Sequence, residues 1–207
     1  MKKGLISTVD YPVSTGKEAN VFRATTPDDA FVAVKIYKME TAKFLRKSDY
    51  LEGDPRFERV KGSDRAIVEA FARKEFKNLQ ICQEATVNAP IPYFVRRNVL
   101  VMSFLGEDGL PYPRMSDVGI GDEKDLDSIL ADLQKMYKAG LVHADISKYN
   151  ILLGEKPFII DLGQGVVLRH PNAEEFLERD VRNIVKFFSS LGIKRDADEL
   201  IKKIRGK

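Results

Sequence analysis

An α+β chain of two unequal lobes is the fold class this sequence predicts. Strand-like alternation fills the early part of the chain, amphipathic helical stripes dominate the rest, and 207 residues suit one large domain or two small lobes sharing a cleft. Hydrophobic residues make up 43% and charged residues 31%, enough apolar material for a real core. The net charge of +3 is mildly basic, which permits a nucleic-acid or ribonucleoprotein partner without demanding one. The single cysteine, Cys82, excludes an internal disulfide, and two histidines are too few for a Cys/His zinc site. The N-terminal MKKGLISTVDYP has no apolar h-region and no run approaches eighteen apolar residues. The reading is a cytoplasmic protein without signal peptide or membrane span.

The elements follow in order. From Pro12 to about Tyr37 the pattern favours strands, and FVAVKIY sets Phe31, Ala33, Lys35 and Tyr37 on one face against Val32, Val34 and Ile36 on the other. Mixed charge and the breakers Gly53, Asp54-Pro55 and Gly62 predict a short helix and then a flexible loop over about 41–63. A helix should start at Ser63 or Asp64 and run to about Gln83. Asn88 to Pro92 breaks the chain, and VLVMSFLG reads as a buried strand ending in a turn at Gly106. After a Gly- and Pro-rich stretch, EKDLDSILADLQKMYKAG is an amphipathic helix. Leu126, Ile129, Leu130, Leu133, Met136 and Tyr137 form its apolar face, and Gly140 sits where a C-terminal cap belongs. Two short strands around a Gly-Glu-Lys-Pro turn come next, then a final helix over about Asn172–Leu191.

Four polar features do not suit a core. Lys35 lies in a strand that is apolar on both faces; an edge position with the stem snorkelling to water is the plain alternative. Glu75 interrupts the helical stripe Ile67, Phe71, Glu75, Leu79, Cys82, where a buried carboxylate is costly unless a cation meets it or the stripe is only half buried. Asp145 and Asn150 stand five apart in HADISKYN, where a loop Asp is ordinarily a turn former. Asp161 ends PFIID before a glycine turn, a common capping position. Together these side chains supply a lysine with a partner glutamate, a carboxylate for a hydroxyl, and an amide plus carboxylate suited to a hard cation.

The order of these parts resembles a protein kinase: a glycine-rich loop, a strand lysine, a helix glutamate, an H-R-D-x-x-x-x-N loop and a D-F-G turn. The spellings STGKEANV, KEFKNL, VMSFLG, LVHADISKYNILL, IIDLGQGV and HPNAEEFLERD resemble the RIO family of atypical serine/threonine protein kinases, over roughly Ile6 to Phe188. STGKEA points to the first, Rio-one-like subfamily, of archaeal type. The chain departs from ordinary kinases at Ala144, where they carry Arg, in D-L-G for D-F-G, and in keeping only the middle glycine, Gly16, of the phosphate loop.

The resemblance implies a trimmed two-lobed kinase-like fold: an N-lobe over 1–102, a hinge over 103–106 and a C-lobe over 107–207. Only 46 residues follow Asp161, so no activation segment or peptide-binding helical subdomain is expected. It also implies ATP and Mg²⁺ as cofactors, with Mn²⁺ as a substitute. The nucleotide site would comprise Ser14, Thr15, Gly16, Lys17, Glu18, Ala19 and Val21 over the phosphates. Lys35 would be positioned by Glu75, and Ala33, with Ile151 or Leu153, would pack the adenine. Met102 would limit the pocket's depth, and backbone groups of Ser103 and Leu105 would bind the adenine edge. Asp145 would accept the proton of the attacking hydroxyl, Asn150 and Asp161 would hold the metal, and Asp161 could also carry a transient aspartyl phosphate. Asp180, interrupting the stripe Phe176, Asp180, Ile184, Phe187, would accept hydrogen bonds from the catalytic-loop backbone. The implied partners are the pre-ribosomal small subunit, with its rRNA and ribosomal proteins, and the chain itself as an autophosphorylation substrate; no oligomeric state follows. A nucleotide-gated assembly factor with little phosphotransfer and a small-molecule kinase are the competing functions.

Overall fold

A computed structural model describes residues 4–41, 53–56 and 63–206. Five strands form an antiparallel sheet. Strands β1 (Thr8–Thr15), β2 (Ala19–Thr25) and β3 (Phe31–Tyr37) are consecutive hairpins, and after helix α1 (Asp64–Glu84) come β4 (Pro92–Arg96) and β5 (Val99–Ser103). The order across the sheet is β1-β2-β3-β5-β4. The alternation in β3 works as the pleat requires: Val32 and Val34 pack with Ala24 and Val101 on one face, while Ala33 and Tyr37 bury themselves on the other. The Ser63 hydroxyl caps α1 by accepting the Ala66 N–H, and the stripe Ile67, Phe71, Glu75, Leu79 and Cys82 is fully buried.

The C-terminal lobe begins with the paired β6 (Gly106–Glu107) and β7 (Leu110–Pro111) and the one-turn helix α2 (Met115–Val118). Helix α3 (Glu123–Lys138) starts at a capping box between Asp122 and Asp125. Its predicted apolar face is buried, except that Tyr137 is half exposed and donates its hydroxyl to Glu174. Gly140, just past the helix end, has φ of +83°. Strand β8 (Leu141–Val142) pairs with β11 (Val166–Val167), and β9 (Ile151–Leu153) pairs with β10 (Pro157–Ile159) around the expected turn. Helices α4 (Ala173–Ser190) and α5 (Ala197–Arg205) complete the lobe. One apolar cluster runs from Ala33 and Met102 through Ile151 to the buried faces of α3, α4 and α5, so the core is continuous beneath the cleft.

The structure corrects the sequence reading in several places. Gly106 opens a short strand rather than a turn, and β4 forms just after the expected break, where no strand was predicted. Strand β5 ends at Ser103. Helix α5 was missed, although Asp196 caps it by accepting the N–H groups of Asp198 and Glu199, and Gly206 follows with φ of +76°. The short helix and flexible loop predicted over 41–63 lie largely outside the described residues. Within that span Asp54 is fully buried and ion-paired with Arg56 at 2.7 Å. No described helix is long and apolar enough to cross a membrane.

Candidate active site between the lobes

Lys35 is only 7% exposed and Glu75 1%, which rules out both the snorkelling lysine and the half-buried stripe. The lysine Nζ lies 2.8 Å from Glu75 Oε1 and 2.8 Å from Asp161 Oδ1. One ammonium thus joins β3, α1 and the turn after β10. Burial pulls this lysine down, but Asp161 and Glu75 outweigh it and hold it well above the usual lysine range. The Tyr37 hydroxyl donates to the other Glu75 oxygen, a contact that sequence periodicity could not indicate.

The turn after Asp161 is built from α1. Asn78 Nδ2 donates to the carbonyls of Leu162 (2.7 Å) and Gly165 (2.9 Å), and Lys74 Nζ donates to the Gly163 carbonyl at 2.9 Å. A Cβ on Gly165 would meet Asn78 Nδ2 at 2.9 Å, so glycine is what allows this close approach. Asp161 itself adopts φ of +64°, an uncommon conformation for a residue other than glycine, and its side chain is 45% exposed to the cleft.

The His143–Asn150 loop is held from α4. Asp180, fully buried, accepts the N–H of Ala144 at 2.7 Å and of Ile146 at 2.8 Å, as the sequence reading expected. Those bonds flank Asp145 and help hold Ala144 at φ of +68°. Burial pushes the Asp180 carboxyl up to about 6, against His143 and the two backbone donors. His143 is also buried; its Nδ1 accepts the Asp145 N–H at 3.2 Å and its Nε2 lies 3.0 Å from the Ile160 carbonyl. The loop and the Asp161 strand end are therefore bridged by an imidazole whose role the sequence did not reveal.

Asn150 Nδ2 donates to the Asp145 carboxylate at 3.0 Å and to its carbonyl at 2.8 Å, which turns the amide oxygen away from Asp145. The Asn150 carbonyl accepts the Ile160 N–H at 2.9 Å, placing Asn150 beside Asp161. An amide oxygen and a carboxylate are the hard donors a Mg²⁺ ion takes while keeping positions for water and phosphate, so these residues fit such an ion. The two aspartates are pushed apart. Lys35 holds Asp161 below the usual carboxylate range, whereas burial, with Asp161 nearby, raises Asp145. That split favours a permanently charged metal ligand and a more basic proton acceptor.

Over this floor, β1 and β2 form the predicted phosphate loop as a tight hairpin, with Gly16 N–H donating to the Ala19 carbonyl at 2.9 Å. Lys38 clamps it, donating its backbone N–H to Glu18 and its Nζ to the Gly16 carbonyl at 2.7 Å. Thr15, Gly16 and Lys17 are exposed, and Ser14 is half buried. Glu18 is half buried too, and burial and then Asp161 raise its carboxyl. Ala33 pairs with Met102 across β3 and β5 and Val21 with Lys35 across β2 and β3. Val21 and Leu153 pack against the cluster holding Ala33, Met102 and Ile151. At the hinge the Ser103 N–H is bound to the Ile91 carbonyl at 2.8 Å, and the Leu105 carbonyl accepts the Tyr112 N–H. The Ser103 N–H is thereby used, while the Leu105 carbonyl keeps a second lone pair.

Comparison with known proteins agrees with this geometry. The RIO domain family model matches residues 20–200. The chain is 44% identical to the RIO-type serine/threonine-protein kinase Rio1 of Haloferax volcanii, over all of this chain and 72% of that one. It is 43% identical to the Rio1 of Thermoplasma acidophilum, over 90% of this chain and all of that one. A crystal structure of the Rio2 kinase–ADP/Mg²⁺–phosphoaspartate complex from Chaetomium thermophilum superposes with a TM-score of 0.69 at 23% identity, covering 95% of this chain. The chain spans about three-fifths of that Rio2 chain, and the likeness there is one of fold.

Proposed function

The chain belongs to the RIO family, among the Rio1-type serine/threonine protein kinases, and on that premise we propose how its cleft carries out the reaction. ATP binds with its adenine in the slot of Ala33, Met102, Ile151 and Leu153 and its edge on the Ser103 carbonyl and Leu105 N–H. Its phosphates lie under the Ser14–Val21 hairpin against Lys35. When bound, Mg²⁺ neutralises phosphate charge and orients the terminal phosphoryl group. Asn150 and Asp161 would hold it there. Asp145 accepts the proton of the attacking serine hydroxyl or water as the oxygen–phosphorus bond forms and the bond to ADP breaks. The observation that carries this reading is the single Lys35 ammonium bonded to both Glu75 and Asp161 at 2.8 Å. It fixes roof, helix and metal turn in one geometry before substrate arrives.

Water as the acceptor makes the same site an ATPase, and Asp161 is the group through which phosphate would pass as an aspartyl phosphate. The neighbouring Rio2 complex, with its phosphoaspartate, supports that route. Action in small-subunit maturation, on a ribonucleoprotein particle, is consistent with the mild basic charge. The test is a radiolabelled-ATP assay on wild type, Asp145→Ala and Asp161→Ala, with and without small ribosomal subunits. Asp145→Ala should abolish autophosphorylation and phosphate release while ATP affinity stays within about twofold, since Asp145 acts on the hydroxyl. Turnover persisting in that variant would remove Asp145 from its role. Tight ATP binding by wild type without any phosphate release would favour the nucleotide-gated binding module instead.

A further inference from the structure

Arg114 sits between β7 and α2 in a stretch where neither periodicity nor spacing marks it. Its backbone is pinned to the floor of the cleft. It bridges Leu152 of β9, its neighbour Pro113 accepts the Leu153 N–H at 2.9 Å, and the next residue, Met115, is fully buried. Its carbonyl also accepts the N–H groups of Asp117 and Val118 at the start of α2. From this fixed base the side chain crosses to the roof, and Nη2 donates to Ser14 Oγ at 2.7 Å.

Among the described residues this is the guanidinium's one hydrogen bond, and it makes no ion pair. A guanidinium offers five N–H donors in a fork that matches phosphate oxygens, so most of its capacity is unspent beside a hydroxyl of the phosphate loop. Lys35 is already engaged by Glu75 and Asp161, and Glu18 and Asp145 add further carboxyl groups around the same space. A polyphosphate entering that setting, even with Mg²⁺, gains from a further side-chain cation that is not already paired.

We propose that Arg114 is a further nucleotide-binding residue, exchanging its bond to Ser14 Oγ for the phosphate chain of ATP. Ser14, released, keeps its hydroxyl proton to donate to the same phosphates, and the hairpin is drawn onto the floor strand through the nucleotide. The side chain that bridges roof and floor becomes the one that senses phosphate. This assignment rests on the reading of the cleft as an ATP site.

The test compares ATP and adenosine affinities by isothermal titration calorimetry with Mg²⁺, for wild type, Arg114→Met and Arg114→Lys. Wild type should bind ATP well above adenosine. Arg114→Met should weaken ATP by about tenfold, the loss of a charge-assisted pair, while adenosine stays within about twofold. Arg114→Lys, which keeps the charge and loses the fork, should fall between. Equal losses for ATP and adenosine would show a merely structural role, and no loss for either would show none; both overturn the proposal. If Arg114→Met does not fold, the same ATP-to-adenosine ratio in Arg114→Lys decides. A wild type that binds both ligands alike would remove the ATP reading itself, an outcome distinct from a wild type that discriminates while the variants match it.

Discussion

Tyr37 shows what a single residue contributes that periodicity does not report. The alternation of β3 placed it on the buried face with Lys35, and its ring packs edge-on against Phe71. Nothing in that pattern says that its hydroxyl ends on Glu75 and fixes the carboxylate that fixes the lysine. Tyr37→Phe keeps the ring and leaves a buried carboxylate oxygen short of a donor. That should cost about 1–3 kcal/mol of stability and lower phosphate transfer several-fold through a less ordered Lys35. Thermal unfolding and single-turnover transfer of the same variant check this; an unchanged melting temperature would mean that the hydroxyl bond contributes nothing. Glu75 was legible for the opposite reason. A charge in the middle of an apolar stripe is conspicuous in one dimension, as is Asp180, whereas a tyrosine, a histidine or an arginine in a proline-rich stretch looks ordinary until the chain folds around it. Cys82 completes the contrast: it shares the Glu75 stripe, is pushed up to about 12 by burial, and has only a packing role.

At the scale of elements, the phosphate hairpin is the clearest case of local chemistry shaping function. Ordinary kinases use glycines at both ends of this loop, but here Ser14 pairs with Val21 and Ala19 with Tyr37, and Lys38 clamps the tip from β3. Side chains at 14 and 19 narrow the backbone's freedom, each by about 0.5–1 kcal/mol relative to glycine. Nucleotide release from beneath it should accordingly be slow. Stopped-flow release from Ala19→Gly and from Ser14→Gly with Ala19→Gly should be several-fold faster than from wild type, and rates no faster would count against a stiff hairpin. Long elements with caps and stripes, α1, α3 and α4, were readable from sequence because each carries its own signal. The nine-residue α5 carries a shorter one, Asp196 with Glu199 three places on and Gly206 after the end. Strands β4 and β6 exist because a neighbouring strand supplies the pairing, and no local pattern encodes that.

For the whole molecule, the decisive feature is that α1 belongs mechanically to both lobes. One of its faces packs on the sheet, and Lys74, Glu75 and Asn78 all reach, directly or through Lys35, to the turn that carries Asp161. Arg56 extends the tie, donating to Asn78 at 2.8 Å and pairing with the buried Asp54. Relative movement of the lobes must work against these buried polar bonds, so the metal turn is held in place by the fold rather than by a separate loop. Lys74 makes this arrangement sensitive to pH. Burial lowers its ammonium to about 7, with Asp54 opposing and Arg56 adding to the shift, and Glu75 the other facing charge. The unfolded chain holds that proton up to about 10.4, so between pH 7 and 10 the unfolded state binds more protons than the folded one. The penalty is complete below pH 7 and is relieved as pH rises, by about 1.4 kcal/mol per unit at most. Lys74→Met keeps the stem's packing and removes the titration. Urea unfolding of both proteins at pH 7, 8 and 9 should show wild type gaining stability relative to the variant, because every other titrating group is shared and cancels in the difference. Parallel curves would mean that Lys74 is charged and solvated in the folded protein, and that α1 does not hold the metal turn through a buried amine.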